Sequence, residues 1–369
     1  AVAVFTLLAR SFRRQQLTCI LSAFFILCYV AYSFILDGAG GGTVWTFYLF
    51  GDLFSTMMVA TFFAFLNDSV DSGSAKRLYG LIGLGGVSGG FFGSAVVGVN
   101  VKSLSPALSM WLCVAIAVVI VLIALAAGRV VSRNLAAPAN GGEEGSDSRE
   151  RAPGARTPES SSHGNPALEG ARLALRSPYL LSVVAIVGLY EMVSTIMDFQ
   201  FTSTVLHYLD GPEIGEHFPR VFTFTNMVAL VVQLFLTSLV MTRFGVGTAL
   251  LFLPVAALLG SAGFLVAPVL LMGSLLNTTD NGFSYSINQS AKEALYVPTT
   301  RDEKYKAKAF IDMFVQRFAK ALAVGLSLLI TTLFAGYSSI RWLSLVTAVI
   351  LLLWILAARY AGRVFIEKE

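Results

Sequence analysis

Between Asn288 and Lys320 the chain reads N-Q-S-A-K-E-A-L-Y-V-P-T-T-R-D-E-K-Y-K-A-K-A-F-I-D-M-F-V-Q-R-F-A-K, and here stand the residues best suited to chemistry. Only 13% of the chain is charged, yet this stretch joins two apolar segments through a run of ionisable groups. Lys292 and Glu293 close one segment ahead of Pro298; Lys308, Asp312, Arg317 and Lys320 lead into the next. Ionisable side chains at membrane depth are costly and face a partner or a watery cavity. Ammonium and guanidinium groups so placed suit the binding of an anion. Lys308 and Asp312 are four apart, so on a helix they share a face and can pair. In one reading Lys308 meets a phosphate or carboxylate while Asp312 holds it in the empty site. In the other, Lys304, Lys306 and Lys308 are anchors at the membrane surface and Asp312 neutralises one of them.

Other polar residues fall inside apolar stretches. Glu191 and Asp198 are seven apart, hence near one helical face. Glu191 follows Pro178 at a distance that puts it near mid-membrane, where a carboxyl can carry protons or form an ion pair with a lysine such as Lys292. Glu191, Asp198, Glu293 and Asp312 are the candidate coupling or counter-charge groups. Asn277, Asp280, Asn281, Tyr285, Asn288 and Gln289 mark a polar stripe, with Asn281, Tyr285, Asn288 and Lys292 on a common face. Such a stripe suits the wall of an aqueous cavity, because unpaired amides in hydrocarbon are expensive. Lys292, Lys308, Arg317, Asn281, Tyr285 and Asn288 are therefore the candidate substrate-binding residues. Asn67, Asp68, Asp71, Lys76 and Arg77 crowd one turn, and salt bridges from Asp68, Lys76 and Arg77 would close a cytoplasmic gate. No nucleophile with a base, no metal-ligand spacing and no cofactor motif appears. The residues point away from an enzyme, from a cofactor and from a bound metal.

The elements that must position these residues are membrane helices. Of all residues 56% are hydrophobic, 28 are Phe and the mean hydropathy is +0.73. A soluble domain of this length could not bury that much apolar surface. Ten apolar segments are long enough to span about 30 Å of hydrocarbon. They run approximately over 17–36, 44–66, 78–100, 105–127, 178–206, 220–242, 246–266, 268–297, 308–334 and 340–361. The alternation of a β-barrel is missing, which leaves an all-α polytopic membrane protein. Cys19, Cys28 and Cys113 sit in apolar segments and read as small hydrophobes. Glycines crowd 80–98, and with no preceding strand and no Lys-Ser/Thr they suit close helix packing better than a phosphate loop.

Alternating the spans places 20 of the 26 Lys and Arg residues on one face, which the positive-inside rule makes cytoplasmic. The net charge of +4 suits anionic lipid better than nucleic acid. Residues 132–177, with G-G-E-E-G-S-D-S-R-E-R at the centre, bury too little to fold and read as a flexible cytoplasmic linker. The chain divides into 1–127, a helical half; 128–177, the linker; and 178–369, a six-helix half. Ala1–Ala9 is apolar but too short to span, and reads as the tail of an earlier helix. With two spans missing or truncated at the start, the plan becomes six, a long inner loop and six. This resembles the major facilitator type, whose halves rock about a site near the bilayer midplane.

Two segments sharpen the resemblance. Residues 67–98 read N-D-S-V-D-S-G-S-A-K-R-L-Y-G-L-I-G-L-G-G-V-S-G-G-F-F-G-S-A-V-V-G, and 292–317 read K-E-A-L-Y-V-P-T-T-R-D-E-K-Y-K-A-K-A-F-I-D-M-F-V-Q-R. Both are similar to the ATP/ADP translocase family of intracellular bacteria and plastids, over nearly all the membrane part and not over 132–177. The resemblance implies that the family's first helix and most of its second are missing. It also implies an alternating-access antiporter exchanging nucleotides. There are departures. The family's exchangers carry Glu-Ala-Lys-Arg where this chain has Ser74-Ala75-Lys76-Arg77, and Thr202 stands four residues after Asp198 where they carry lysine. The chain looks more like free-living bacterial relatives. The expectation is a secondary transporter in a bacterial inner membrane, moving an organic anion for which ATP and ADP are candidates. The alternatives are proton-coupled movement of another metabolite, or a non-transporting subunit that docks a partner through the 128–177 loop. No partner protein and no nucleic acid is implied.

Overall fold

The computed structural model describes residues 14–36, 40–69, 72–100, 105–136, 166–299, 307–334 and 336–368, while the side chains of 63–82 and 130–136 are among those outside that description. Every extended element among the described residues is a helix, and no strand occurs there. They are α1 (Arg14–Ile35), α2 (Gly41–Ser69), α3 (Ser72–Asn100), α4 (Pro106–Ala136), α5 (Pro166–Arg176), α6 (Pro178–Tyr208), α7 (Pro212–Val231), α8 (Thr237–Arg243), α9 (Gly245–Val266), α10 (Leu270–Phe283), α11 (Gln289–Ala294), α12 (Lys308–Phe310), α13 (Gln316–Leu333) and α14 (Ile340–Lys368). Three π-helical turns, Val232–Leu236, Ser284–Asn288 and Ile311–Val315, join α7 to α8, α10 to α11 and α12 to α13. Among the described residues, six helical stretches are long and apolar enough to cross a membrane: Gln16–Ile35, Pro106–Arg129, Pro178–Tyr208, Pro212–Arg243, Gly245–Val266 and Ile340–Glu367. This is an all-α, multi-pass membrane protein.

The chain forms two compact units. The first comprises Ala1–Leu81 and Asn100–Ala155. Its core is aromatic: Phe25 packs edge-on against Phe54 at 5.0 Å, and Tyr29 against Phe50 at 5.0 Å. Leu17, Leu21 and Met110 complete that cluster, drawing α1 onto α2 and α4. Rings in such tilted contacts contribute beyond the area they bury, and they hold helices together where lipid removes the usual hydrophobic drive.

The second unit comprises Ile82–Val99 and Arg156–Glu369 and contains the candidate site. Its α6 begins at a Ser-Pro start: Ser177 accepts from the Leu180 amide, and Pro178 occupies the first turn, where its missing N–H costs nothing. α6 then packs against α10, α13 and α14, burying Val183, Ile186, Val193 and Ile196. Trp354 is fully buried beside them, its ring 5.7 Å from that of Tyr190. α9 and α14 approach most closely at Gly247 and Gly362, where a Cβ on Gly362 would lie 2.8 Å from the Gly247 Cα. Among the glycines of α3, Gly90 abuts Asn226 and Gly98 abuts Pro219, while Gly83, Gly85, Gly86, Gly89 and Gly93 face open space. Among the described glycines of that run, Gly90 and Gly98 are the two with a close neighbour. At the end of the unit where α6 finishes, Tyr337 donates to the Pro268 carbonyl at 2.8 Å and stacks on His207 at 3.8 Å. Burial holds the Tyr337 hydroxyl above the ordinary tyrosine range, which keeps it a donor.

Candidate functional site

α6, α10 and α13 form an open cavity of about 360 Å³, lined by Ser194, Thr195 and Asp198 from α6, Asp280 and Asn281 from α10, and Lys320 from α13. That volume lies within the ordinary range for small-molecule sites. Asp280 is 4% exposed, and Ser194 Oγ donates to its Oδ2 at 2.6 Å. Asn281 donates back to the Asn277 carbonyl at 3.1 Å, and Thr195 Oγ1 to the Glu191 carbonyl at 2.7 Å. Both polar side chains are thereby oriented by their own helices. Lys320 Nζ stands 3.6 Å from Glu191 Oε2.

A second group of cations lies between α11 and α12. Lys308 Nζ donates to Glu293 Oε2 at 2.5 Å and lies 5.3 Å from the centre of the Tyr296 ring. Lys292 Nζ stands over the Tyr190 ring at 4.7 Å. The same ring packs against Trp354 at 5.7 Å, and the carboxyl of the neighbouring Glu191 lies 3.6 Å from Lys320. Gln289 donates to the other Glu293 oxygen at 3.2 Å. Tyr179 closes this end by donating to the Leu295 carbonyl at 2.7 Å.

A model of the TLC ATP/ADP transporter family matches residues 43–270 and 265–365 of the chain. The chain belongs to the TLC ATP/ADP transporter family. It is 26% identical over 372 residues to ADP,ATP carrier protein 1 of Chlamydia pneumoniae, covering 88% of this chain and 68% of that protein. Against ADP,ATP carrier protein 1 of Chlamydia muridarum (strain MoPn / Nigg) it is 28% identical over 220 residues, or 53% of this chain and 41% of the relative. Against the plastidic ATP/ADP-transporter of Solanum tuberosum it is 24% identical over 349 residues, or 86% of this chain and 53% of the relative. The chain thus spans between two fifths and about two thirds of these relatives' lengths. The TLC ATP/ADP transporter family is one of transporters rather than enzymes.

Of the residues singled out in this family member's sequence, Asn281 and Asp198 line the cavity, and Glu191 adjoins it through Lys320. Lys292, Lys308 and Glu293 gather one turn or more away, around Tyr190 and Tyr296. Three expected pairings differ from the geometry. Lys308 bonds to Glu293 across two helices, not to Asp312 along one, because the π turn Ile311–Val315 begins between them and rotates the following face. Glu191 pairs with Lys320 instead of Lys292, which stands over the ring of Tyr190. The face shared by Asn281, Tyr285, Asn288 and Lys292 is broken by the π turn Ser284–Asn288: Tyr285 is 66% exposed while Asn288 is fully buried. Neither amide atom of Asn288 finds a partner among the described residues. Asp312, within the π turn Ile311–Val315, and Arg317, just after it, are exposed. Asp68, Lys76 and Arg77 lie on α2 and α3, but their side chains fall outside the described residues.

Sequence reasoning placed Asp280 in the polar stripe of a cavity wall without naming it a binding residue, missed Ser194 and Thr195, and treated Lys320 only as an extra cation. The polar run Asn277–Asn281 was the signal for Asp280, since a buried carboxyl demands a donor. The Ser194 hydroxyl is common in membrane helices and carried no such signal.

Proposed function

We propose that the chain is a secondary transporter working by alternating access and moving an organic anion, with ATP and ADP the leading candidates. The observation that carries this reading is the 360 Å³ cavity with its hydroxyl, amide and ionisable lining, set among helices of a chain in a nucleotide-transporter family. Charged and polar groups of that kind belong at a substrate path when they occur inside a helical bundle. In this proposal Lys292, Lys308 and Arg317 supply positive potential, and Asn281, Tyr285 and Asn288 polar contacts. Glu191, Asp198, Glu293 and Asp312 act in coupling or as counter-charges, and Asp68, Lys76 and Arg77 close the cytoplasmic side. The finer architecture belongs to the same proposal: ten spans of the major facilitator type in a bacterial inner membrane. Residues 1–127 and 178–369 form two helical parts joined by a cytoplasmic 128–177 linker.

The test is counterflow. Proteoliposomes containing the full chain and loaded with ADP should take up labelled ATP, and empty vesicles should not. A second reading, proton-coupled movement of another metabolite, is favoured by the carboxyl count, since Asp198 and Asp280 line the cavity with Glu191 beside it. Uptake of a different solute that follows an imposed pH gradient, with no ATP/ADP counterflow, would select that reading.

A further inference from the structure

Lys320 is the one cation lining the cavity among the described residues, and three features of its setting set it apart. The first is depth. Lys320 stands 12 residues after Lys308, and Glu191 stands 13 after Pro178. The starts of both helices lie together, since Leu180 and Ala307 share a buried cluster. Each charge is therefore about 18–20 Å along its helix, near the middle of a hydrocarbon layer of about 30 Å. The second is exposure: the Lys320 side chain is 60% exposed, against 11% for Glu191. An ammonium open to hydrocarbon at that depth is strongly disfavoured, so the space it opens to is the aqueous cavity it lines.

The third is the looseness of its pairing. At 3.6 Å the Glu191–Lys320 contact is outside hydrogen-bond reach, whereas Lys308 and Glu293 are bonded at 2.5 Å. Glu191 holds Lys320 by its field and leaves the ammonium protons free for another acceptor. Of the other groups at the cavity, Asn281 and Thr195 offer only uncharged contacts. Asp198 and Asp280 repel an anion, and Ser194 already spends its proton on Asp280.

We propose that Lys320 is the residue that reads the anionic group of the substrate: Glu191 keeps its ammonium aimed into the empty cavity, and the substrate's phosphate takes over as its partner. The inference rests on the cavity being the transport site. Binding then exchanges the Glu191–Lys320 ion pair for one between Lys320 and the substrate until the substrate departs. Loading and release are coupled through a single side chain on α13.

The experiment is ADP/ATP counterflow with the full chain in proteoliposomes, comparing wild type with Lys320→Ala, Lys320→Arg and Glu191→Gln. Losing a charge-assisted contact should raise the KM of Lys320→Ala for ATP by about 10- to 100-fold. It should also flatten the preference among ATP, ADP and AMP, which differ in anionic charge. Lys320→Arg should remain within about tenfold of wild type, since the charge is kept though its geometry changes. Glu191→Gln removes the competing carboxylate and should lower the KM for ATP, a result that a merely structural bridge would not give. Wild-type KM and wild-type charge preference in Lys320→Ala would overturn the inference and leave the transport reading standing. So would a loss of exchange in Glu191→Gln as deep as in Lys320→Ala, with the KM of the residual activity unmoved in both. No counterflow in the wild type would overturn the transport reading, and this inference with it.

Discussion

Lys308 separates two roles that sequence leaves balanced, surface anchor and substrate contact, because the geometry bounds what an anchor could contribute. Its ammonium donates to Glu293 at 2.5 Å, with side chains 31% and 48% exposed. Ion pairs that open to solvent contribute about 0.2–1 kcal/mol, since water and salt screen them and two long side chains must be ordered. The Tyr296 ring at 5.3 Å adds about 0.5–1 kcal/mol as a cation–π contact. Lys308→Ala should therefore cost the fold no more than about 2 kcal/mol. If Lys308 meets the substrate's phosphate, the lost charge-assisted bond is about 1.5–3 kcal/mol, or roughly 10- to 100-fold in uptake. Glu293→Ala removes the same ion pair from the other side and leaves the ammonium in place. Apparent melting in detergent should fall slightly and alike in both variants, with a coupling below about 1 kcal/mol in the double-mutant cycle. Labelled-nucleotide uptake should fall by about 10- to 100-fold in Lys308→Ala and change by less than about threefold in Glu293→Ala. Equal loss of uptake in the two variants, or a collapse of Lys308→Ala protein on heating, would make the lysine an anchor and refute this reasoning.

Two further outcomes follow from the packing. Gly362→Ala would set a Cβ 2.8 Å from the Gly247 Cα, backbone against backbone, so α9 and α14 must part. The expected cost is about 1–3 kcal/mol, read as a lower apparent melting temperature, and an unchanged value would contradict the close approach. Ser194→Ala removes the 2.6 Å donor from Asp280, which is only 4% exposed. A cost of about 1.5–3 kcal/mol is expected, with part of it recovered when Asp280→Asn is added, because a neutral amide tolerates the loss better than a carboxylate. Failure of the second substitution to recover any stability would place the Ser194 effect elsewhere.

The helices were legible because lipid leaves few choices. An apolar run opened by Ser177-Pro178 could only become a spanning helix, and α6 runs Pro178–Tyr208 where 178–206 was expected. Helices likewise stand at 17–36 and 105–127, both among the stretches long and apolar enough to cross a membrane. The site was legible in composition and not in pairing. Lys292, Glu293, Lys308 and Glu191 announced themselves as charges in apolar surroundings. Their partners depended on helical register, and a uniform turn of 3.6 residues fails wherever a π turn intervenes. The turn at Ser284–Asn288 sends Tyr285 outward and Asn288 inward, and that at Ile311–Val315 begins between Lys308 and Asp312, with Lys308 bonded to Glu293. Local composition marks such turns weakly, because they are fixed by how α10 and α13 pack on α6. The Glu191–Lys320 pair spans more than a hundred residues of chain, and no periodicity along one helix could have joined its members.

Water and substrate access to the cavity is the claim on which the account turns, and Thr195 on its wall reports it directly. With Cys19, Cys28 and Cys113 replaced by Ser, Thr195→Cys in membranes should react with a small charged thiol reagent, and millimolar ATP or ADP should slow that reaction by about tenfold or more. Labelling that proceeds at the same rate with and without nucleotide, or no labelling in folded protein, would contradict the assignment of this cavity as the transport site.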